Sequence, residues 1–279
     1  MPASTRPWAG WWRTTGRSRP RRKSYLTPAQ HYALESNVRA RPGIILDATA
    51  DRVIVWRPDW PIAGPNGVRR VSCTADRLPA VVEEARAQAK GRGVRLSWQL
   101  DSWNRADLEP TLLAQGLKLD EEITTMEFEG DVEEPPVAGM ELADGMADLE
   151  AFRRHHSTVA AGFRGLDQLL LEEGDLRQRY SASEAAGVKL VTALVFGEPA
   201  GGGSLAVDPD GAILAGASVL PAYRHRGIYR ALVAERTRLA AERGAPLVIT
   251  HARPKSRPIL EWLGFRMIGR WWSYLEASG

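Results

Sequence analysis

The 279-residue chain predicts an α/β protein, a mixed sheet with helices, divided into two similar halves. Three observations carry that expectation. Short β-branched strands alternate with amphipathic helical segments, the same order of elements occurs twice, and landmark residues recur at nearly constant spacing. Gly93 and Gly244 lie 151 residues apart, and Pro110 to Pro258, Leu112 to Leu260 and Gly116 to Gly264 are each separated by 148. A period this long means duplicated domains rather than a solenoid.

Composition sets the frame. An apolar content of 44% is enough for proper cores, and Cys73, the single cysteine, excludes an intramolecular disulfide framework. No run of 18 apolar residues is present to span a bilayer, so a cytoplasmic protein with no membrane partner is expected. Residues 1–27 carry seven basic and no acidic side chains, so 37 basic residues less these 7 leave 30 against 34 acidic ones, a net −4 for the rest. This tail lacks the apolar core of a secretory signal. Its arginines and Trp8, Trp11 and Trp12 would suit an anionic surface, but a disordered extension is the expectation.

The first domain is expected over residues 28–130. Residues 43–47 and 52–56 read as a hairpin around a small polar loop, and a Pro/Gly-rich stretch separates them from an extended run over 68–73. Cys73 in that run is expected to fill apolar space rather than act as a nucleophile. Residues 76–90 form a helix stopped at Gly91 and Gly93, then come a strand over 94–98, a short helix over 110–115 with Pro110 in its first turn, and a strand over 122–128. The Pro pair and acidic residues of 131–139 suit a linker.

The second domain covers residues 140–279. A strand at 140–143 is followed by helices over 146–159 and 166–180, a strand over 187–196, another from 204, and a turn at Asp208-Pro209-Asp210-Gly211. An apolar strand over 212–220 then enters Pro221-Ala222-Tyr223-Arg224-His225-Arg226-Gly227-Ile228-Tyr229 and a helix that runs to 242. A strand over 246–250, a short helix over 258–263 and a strand over 265–274 close the chain.

The turn over 224–229 joins a strand to a helix N-terminus, where unpaired amides and the helix dipole favour negative charge. Gly227 allows close backbone approach, and Arg224 and Arg226 add positive charge, so a diphosphate is the natural guest; an ordinary turn with solvated arginines is the plainer alternative. Neither GxxxxGK[ST] nor GxGxxG is present, and no His/Cys/Asp/Glu set has metal-ligand spacing.

Val219-x-Pro221-x-Tyr223-Arg224-x-Arg226-Gly227-Ile228, followed by Ala231-Leu232, resembles the acetyl-CoA motif R/Q-x-x-G-x-G/A of the GNAT acyltransferase superfamily. Leu260-Glu261-Trp262-Leu263-Gly264-Phe265 resembles that superfamily's closing helix and "GF" strand. The resemblance implies that Ala217, Ser218 and Val219 pair with the pantetheine arm and that Arg224, His225, Arg226, Gly227, Ile228 and Tyr229 hold the pyrophosphate of acetyl-CoA, the acyl donor. It implies N-acetyl transfer to a primary amine of a small molecule or peptide, with the first half a degenerate copy lacking the anion turn. Two departures stand out. Tyr229 replaces the motif's last Gly/Ala, and Leu260 stands where many relatives carry a Tyr acid, with Arg253 in place of a frequent Asn.

His251, at the end of the strand that should splay from 212–220, is then the nearest titratable candidate for catalysis; a satisfied structural histidine is the alternative. His155 and His156, followed by Ser157, Thr158 and Arg164, lie on the helix that the resemblance implies covers the acceptor side, either touching substrate or simply solvated. The competing function is a non-catalytic acyl-CoA-binding module whose basic tail contacts nucleic acid. Acceptor identity and oligomeric state are not encoded in any motif.

Overall fold

The computed structural model describes residues 26–58, 65–130, 137–163 and 173–276. Most of the basic tail, linker residues 131–136 and Arg164 lie outside them. The first half runs α1 (Pro28–Ser36), β1 (Ile45–Ala48), β2 (Val53–Trp56), β3 (Gly67–Arg69), α2 (Leu78–Arg92), β4 (Ser97–Asp101), α3 (Arg105–Ala114) and β5 (Leu117–Phe128). The second runs β6 (Met140–Asp144), α4 (Leu149–Gly162), α5 (Glu173–Ala185), β7 (Lys189–Val195), β8 (Glu198–Asp208), β9 (Gly211–Val219), a 3₁₀ turn (Pro221–Tyr223), α6 (Ile228–Glu242), β10 (Val248–Ala252), α7 (Arg257–Trp262) and β11 (Phe265–Glu276).

The repeat read in the sequence is a repeat of conformation. α2 and α6 are both 15 residues long, and β5 and β11 are both 12. Gly93 and Gly244 end the long helices at φ 65° and 68°, and Gly116 and Gly264 end the short ones at φ 84° and 87°. Only glycine enters that left-handed region without a Cβ penalty, so these positions carry the repeat most visibly.

Several elements depart from the sequence reading: β4 lies three residues later than 94–98, β5 starts at Leu117 rather than 122, and β8 starts at Glu198 rather than 204. α1 lies in residues 28–42, to which the sequence reading assigned no element, and its start is a capping box: Thr27 Oγ1 accepts from the Gln30 amide while Gln30 Oε1 accepts from the Thr27 amide, with Pro28 in the first turn. α3 starts at Arg105 rather than at Pro110, which lies mid-helix, because Leu108 and Leu112 form an apolar pair one turn apart that buries the upstream turn as well.

The eleven strands among the described residues form one sheet in the order β1-β2-β3-β4-β11-β5-β10-β9-β8-β7-β6. The halves exchange their last strands. β11 leaves β10 and inserts between β4 and β5, while β5 leaves β4 and pairs with β11 and β10. β5 and β11 run antiparallel along their whole length, from Phe265 opposite Phe128 to Glu276 opposite Leu117.

Strand alternation sorts the helices onto two faces. α2 and α3 bury Trp98, Leu100, Trp272 and Tyr274, and α6 and α7 bury Ala212, Leu214, Met126 and Val248, all from one face. α1 covers Ile213, Ile249 and Ile268 from the other face, where α4 also lies over Gly202. Gln99, Asp101, Thr125, His251 and Trp271 project to that second face.

Candidate active site

β9 pairs with β10 only through Ala212, Ile213 and Leu214, and beyond that point the two parallel strands part. On its other edge β9 stays on β8 but shifts register: Ala215 lies opposite Ser204 and Ser218 opposite Gly202, so Gly216 (φ 55°) and Ala217 bulge. The bulge turns carbonyls towards α6, and Arg236 answers them. Its Nη1 donates to Ser204 O at 3.1 Å and to Ala215 O at 3.2 Å, and its Nε donates to Leu232 O at 2.7 Å. Burial pulls this guanidinium down to about 10, so it stays charged at neutral pH.

The anion turn has the shape its sequence implied. Arg224 is extended, His225 sits at φ 63° and Gly227 at φ 86°, and α6 starts with no side-chain cap and no acidic residue in its first turn. Left-handed residues in such a turn point successive amides outward into a concave nest, backed by the positive end of a helix. His225 is exposed. The Arg224 guanidinium has another duty: it donates to Val219 O at 3.1 Å and to Gly162 O at 3.2 Å, tying the turn to the end of α4. Arg226 lies over the Tyr223 ring, 5.4 Å from its centroid.

A groove of about 830 Å³ runs past this turn and is lined by Ala217, Ser218, Val219, Arg224, His225, Gly227, Ile228 and Tyr229. Of the nine residues singled out for the donor, only Arg226 is not part of that lining. Ser218 Oγ donates to Val159 O at 2.9 Å, so its side chain secures α4 while its backbone edge faces the groove. A deeper cleft of about 440 Å³ continues where β9 and β10 part, reached past Tyr229 and lined by Arg236, Thr250, His251 and Leu260. Tyr229 therefore stands where groove and cleft meet, and burial raises its phenol. Leu260, the buried residue of α7, points into the core, so an aliphatic wall occupies that side.

His251 forms part of the cleft wall. Its Nδ1 lies 3.3 Å from Thr125 Oγ1 and accepts the Trp271 indole N–H at 3.4 Å, with the two rings edge-on. An indole is only a donor, so the imidazole proton belongs on Nε2, and that nitrogen is buried without a partner among the described residues. Burial, with the Arg69 charge second, lowers this histidine to about 4. It is a neutral imidazole at physiological pH, presenting an N–H rather than a base.

The adjacent histidines are not solvated. His155 is 2% exposed and bonded to Thr192 Oγ1 at 3.0 Å, and burial holds His155 near 3 and His156 near 4. Cys73 lies beyond the end of β3, partly buried against the α2 core, and burial raises its thiol. Sequence reasoning missed Arg236, Thr125 and Trp271. An arginine on the apolar face of α6 was a signal; the other two depend on the strand exchange.

Residues 159–265 match the model of the acetyltransferase (GNAT) family. No curated protein matches the chain by sequence. Among solved structures, it is similar to a GCN5-related N-acetyltransferase from Kribbella flavida, at 18% identity and TM-score 0.67 over 92% of this chain and 98% of that one. It is also similar to a GCN5-related N-acetyltransferase from Sphaerobacter thermophilus, at 14% identity and TM-score 0.58 over 84% and 83% of the two chains. A tandem GNAT protein from the clavulanic acid biosynthesis pathway matches at 17% identity and TM-score 0.55 over 86% of each chain. At these identities the likeness is one of fold.

Proposed function

We propose, from the match of residues 159–265 to the model of the acetyltransferase (GNAT) family, that the protein is an N-acetyltransferase carrying an acetyl group from acetyl-CoA to a primary amine. The observation that carries the reading is the parting of β9 from β10 directly before an uncapped helix start. A parallel pair that opens leaves one strand edge unpaired, and a nest of amides beside it adds an anion cradle. An elongated donor with a diphosphate and an amide-bearing arm fits both.

The fit is chemical as well as geometric. The amides of residues 226–229, with Arg226 and Lys255 at the rim, would hold the diphosphate, and the free edge of Ala217 to Val219 would hold the arm. When bound, acetyl-CoA supplies an activated thioester. The chain's part is to orient and polarise. The Val219 amide, at the end of the free edge, is positioned to donate to a carbonyl in the cleft, and Arg236 keeps a buried positive charge behind the bulge that shapes that edge. The catalytic role proposed for His251 is that of a fixed Nε2–H donor in the cleft wall, since its depressed basicity at about 4 makes it a poor proton acceptor at pH 7. Tyr229 narrows the passage where relatives have a small residue.

Thiol release from acetyl-CoA across a panel of primary amines tests the reading. Amine-dependent release is expected, abolished when the amine is replaced by the matching alcohol. Release at the bare hydrolytic rate with every amine would contradict it and would favour a binding module.

A further inference from the structure

The face opposite α6 holds a second cavity, of about 110 Å³, between α1 and strands β4, β5 and β11. Its polar lining is unusual for a sheet face under a helix. Gln99 is 4% exposed and Asp101 is 6% exposed, and Gln99 Nε2 donates to Asp101 Oδ1 at 2.9 Å. That leaves Gln99 Oε1 buried with no partner among the described residues, an acceptor without a donor. Thr125 adds a hydroxyl to the same cavity, and the rings of Trp271 and Trp103 form its rim.

The cavity meets the inner cleft at His251. Thr125 Oγ1 and Trp271 Nε1, both in the cavity wall, are the two groups beside His251 Nδ1, and His251 is also one of the residues that line the cleft. The Trp271 N–H is spent on the imidazole, and the Arg270 guanidinium at the edge is drawn towards Glu122 at 3.4 Å. What remains is a set of acceptors with lone pairs to spare: the Asp101 carboxylate, which already takes the Gln99 amide and the Trp103 side chain, the Gln99 amide oxygen and the Thr125 hydroxyl. Arg69 and Arg70 share the Asp101 charge, yet burial still raises that carboxyl, so the compensation is incomplete.

We propose that this cavity is the acceptor subsite, in which Gln99, Asp101 and Thr125 receive the ammonium of a small organic amine and the tryptophan rings receive its apolar body. A primary ammonium has three N–H donors, matching three acceptors, and aromatic faces suit a cationic head with a hydrocarbon attached. The inference rests on the acetyltransferase reading, and it gives the first half a function. Lacking an anion turn, that half contributes recognition through β4, and the strand exchange brings β4 to within one strand of the β5–β10 pair where His251 stands.

Binding is measured on the full chain without acetyl-CoA, by saturation-transfer NMR and calorimetry, using 2-phenylethylamine and its uncharged counterpart 2-phenylethanol. The amine is expected to bind at least about tenfold more tightly than the alcohol, and Asp101→Asn to remove about tenfold of that preference. Trp103→Ala, whose ring is 58% exposed and carries no core packing, is expected to weaken both ligands severalfold; it also carries the test should Asp101→Asn fail to fold. Equal binding of amine and alcohol, wild-type affinity in either folded variant, or no amine binding at all would overturn the proposal. Acetyl-CoA titrations of the same samples judge the donor reading separately: their failure strikes that reading and leaves the amine result to stand by itself.

Discussion

At the scale of single residues, the chain keeps three imidazoles neutral by burial: His155, His156 and His251, held near 3, 4 and 4. In the unfolded chain each titrates near 6.5. Between about pH 6.5 and 4 the unfolded state therefore binds protons that the native state refuses, and stability, complete above 6.5, is lost as pH falls. Denaturant unfolding at pH 7.5 and 5 should show a loss of a few kcal/mol, and His155→Gln, which can still reach Thr192, should flatten the slope. A pH-independent midpoint would refute the buried-neutral assignment. A second prediction concerns Trp271→Phe, which keeps the ring and deletes the donor to His251 Nδ1. Imidazole nitrogen shifts should report a lower Nε2–H population in the variant; unchanged shifts would mean that the indole does not set the tautomer.

At the scale of elements, the β9 bulge depends on α6. Replacing Arg236 by Met removes the guanidinium donor from the Ser204 carbonyl and leaves the Ala215 carbonyl with only the Ser204 hydroxyl, for an expected loss of about 2–4 kcal/mol in chemical denaturation. A loss under about 0.5 kcal/mol would mean that water takes over both carbonyls. Elements were legible in the sequence where local chemistry decides them. Helices α2 and α6 were readable from apolar spacing and terminal glycines, and the anion turn from Arg224-x-x-Gly227. The start of α3 was misread because Pro110 suggested a first turn, whereas the Leu108–Leu112 pair decided the matter through packing. α1 was missed although Thr27-Pro28-Ala29-Gln30 spells a capping box, because nine residues with weak amphipathicity gain their stability from the sheet they cover. The histidine pair was misjudged for a similar reason: adjacent positions on a helix face different ways, but α5 and the sheet close around both.

At the scale of the whole molecule, neither half is complete without the other. β11 lies between β4 and β5, and β5 lies between β11 and β10, so each half's last strand is held mainly by its counterpart. No local pattern encodes that exchange, since both 12-residue strands would pair plausibly within their own halves and the choice is made by contacts more than a hundred residues apart. A fragment ending at residue 130 is expected to remain unfolded, and the full chain to unfold in one transition seen alike by far-UV circular dichroism and tryptophan fluorescence. Two separated transitions would contradict the interlock. The same exchange brings the proposed acceptor cavity beside β4 close to the strands that flank the proposed donor groove. The most direct measurement of the central claim is a calorimetric titration of acetyl-CoA into the wild type and into the double variant Arg226→Glu, Gly227→Asp, which places acidic groups in the nest without touching the core. Saturable binding to the wild type and none to the folded variant is the predicted result; equal affinity in both would contradict the assignment of the groove.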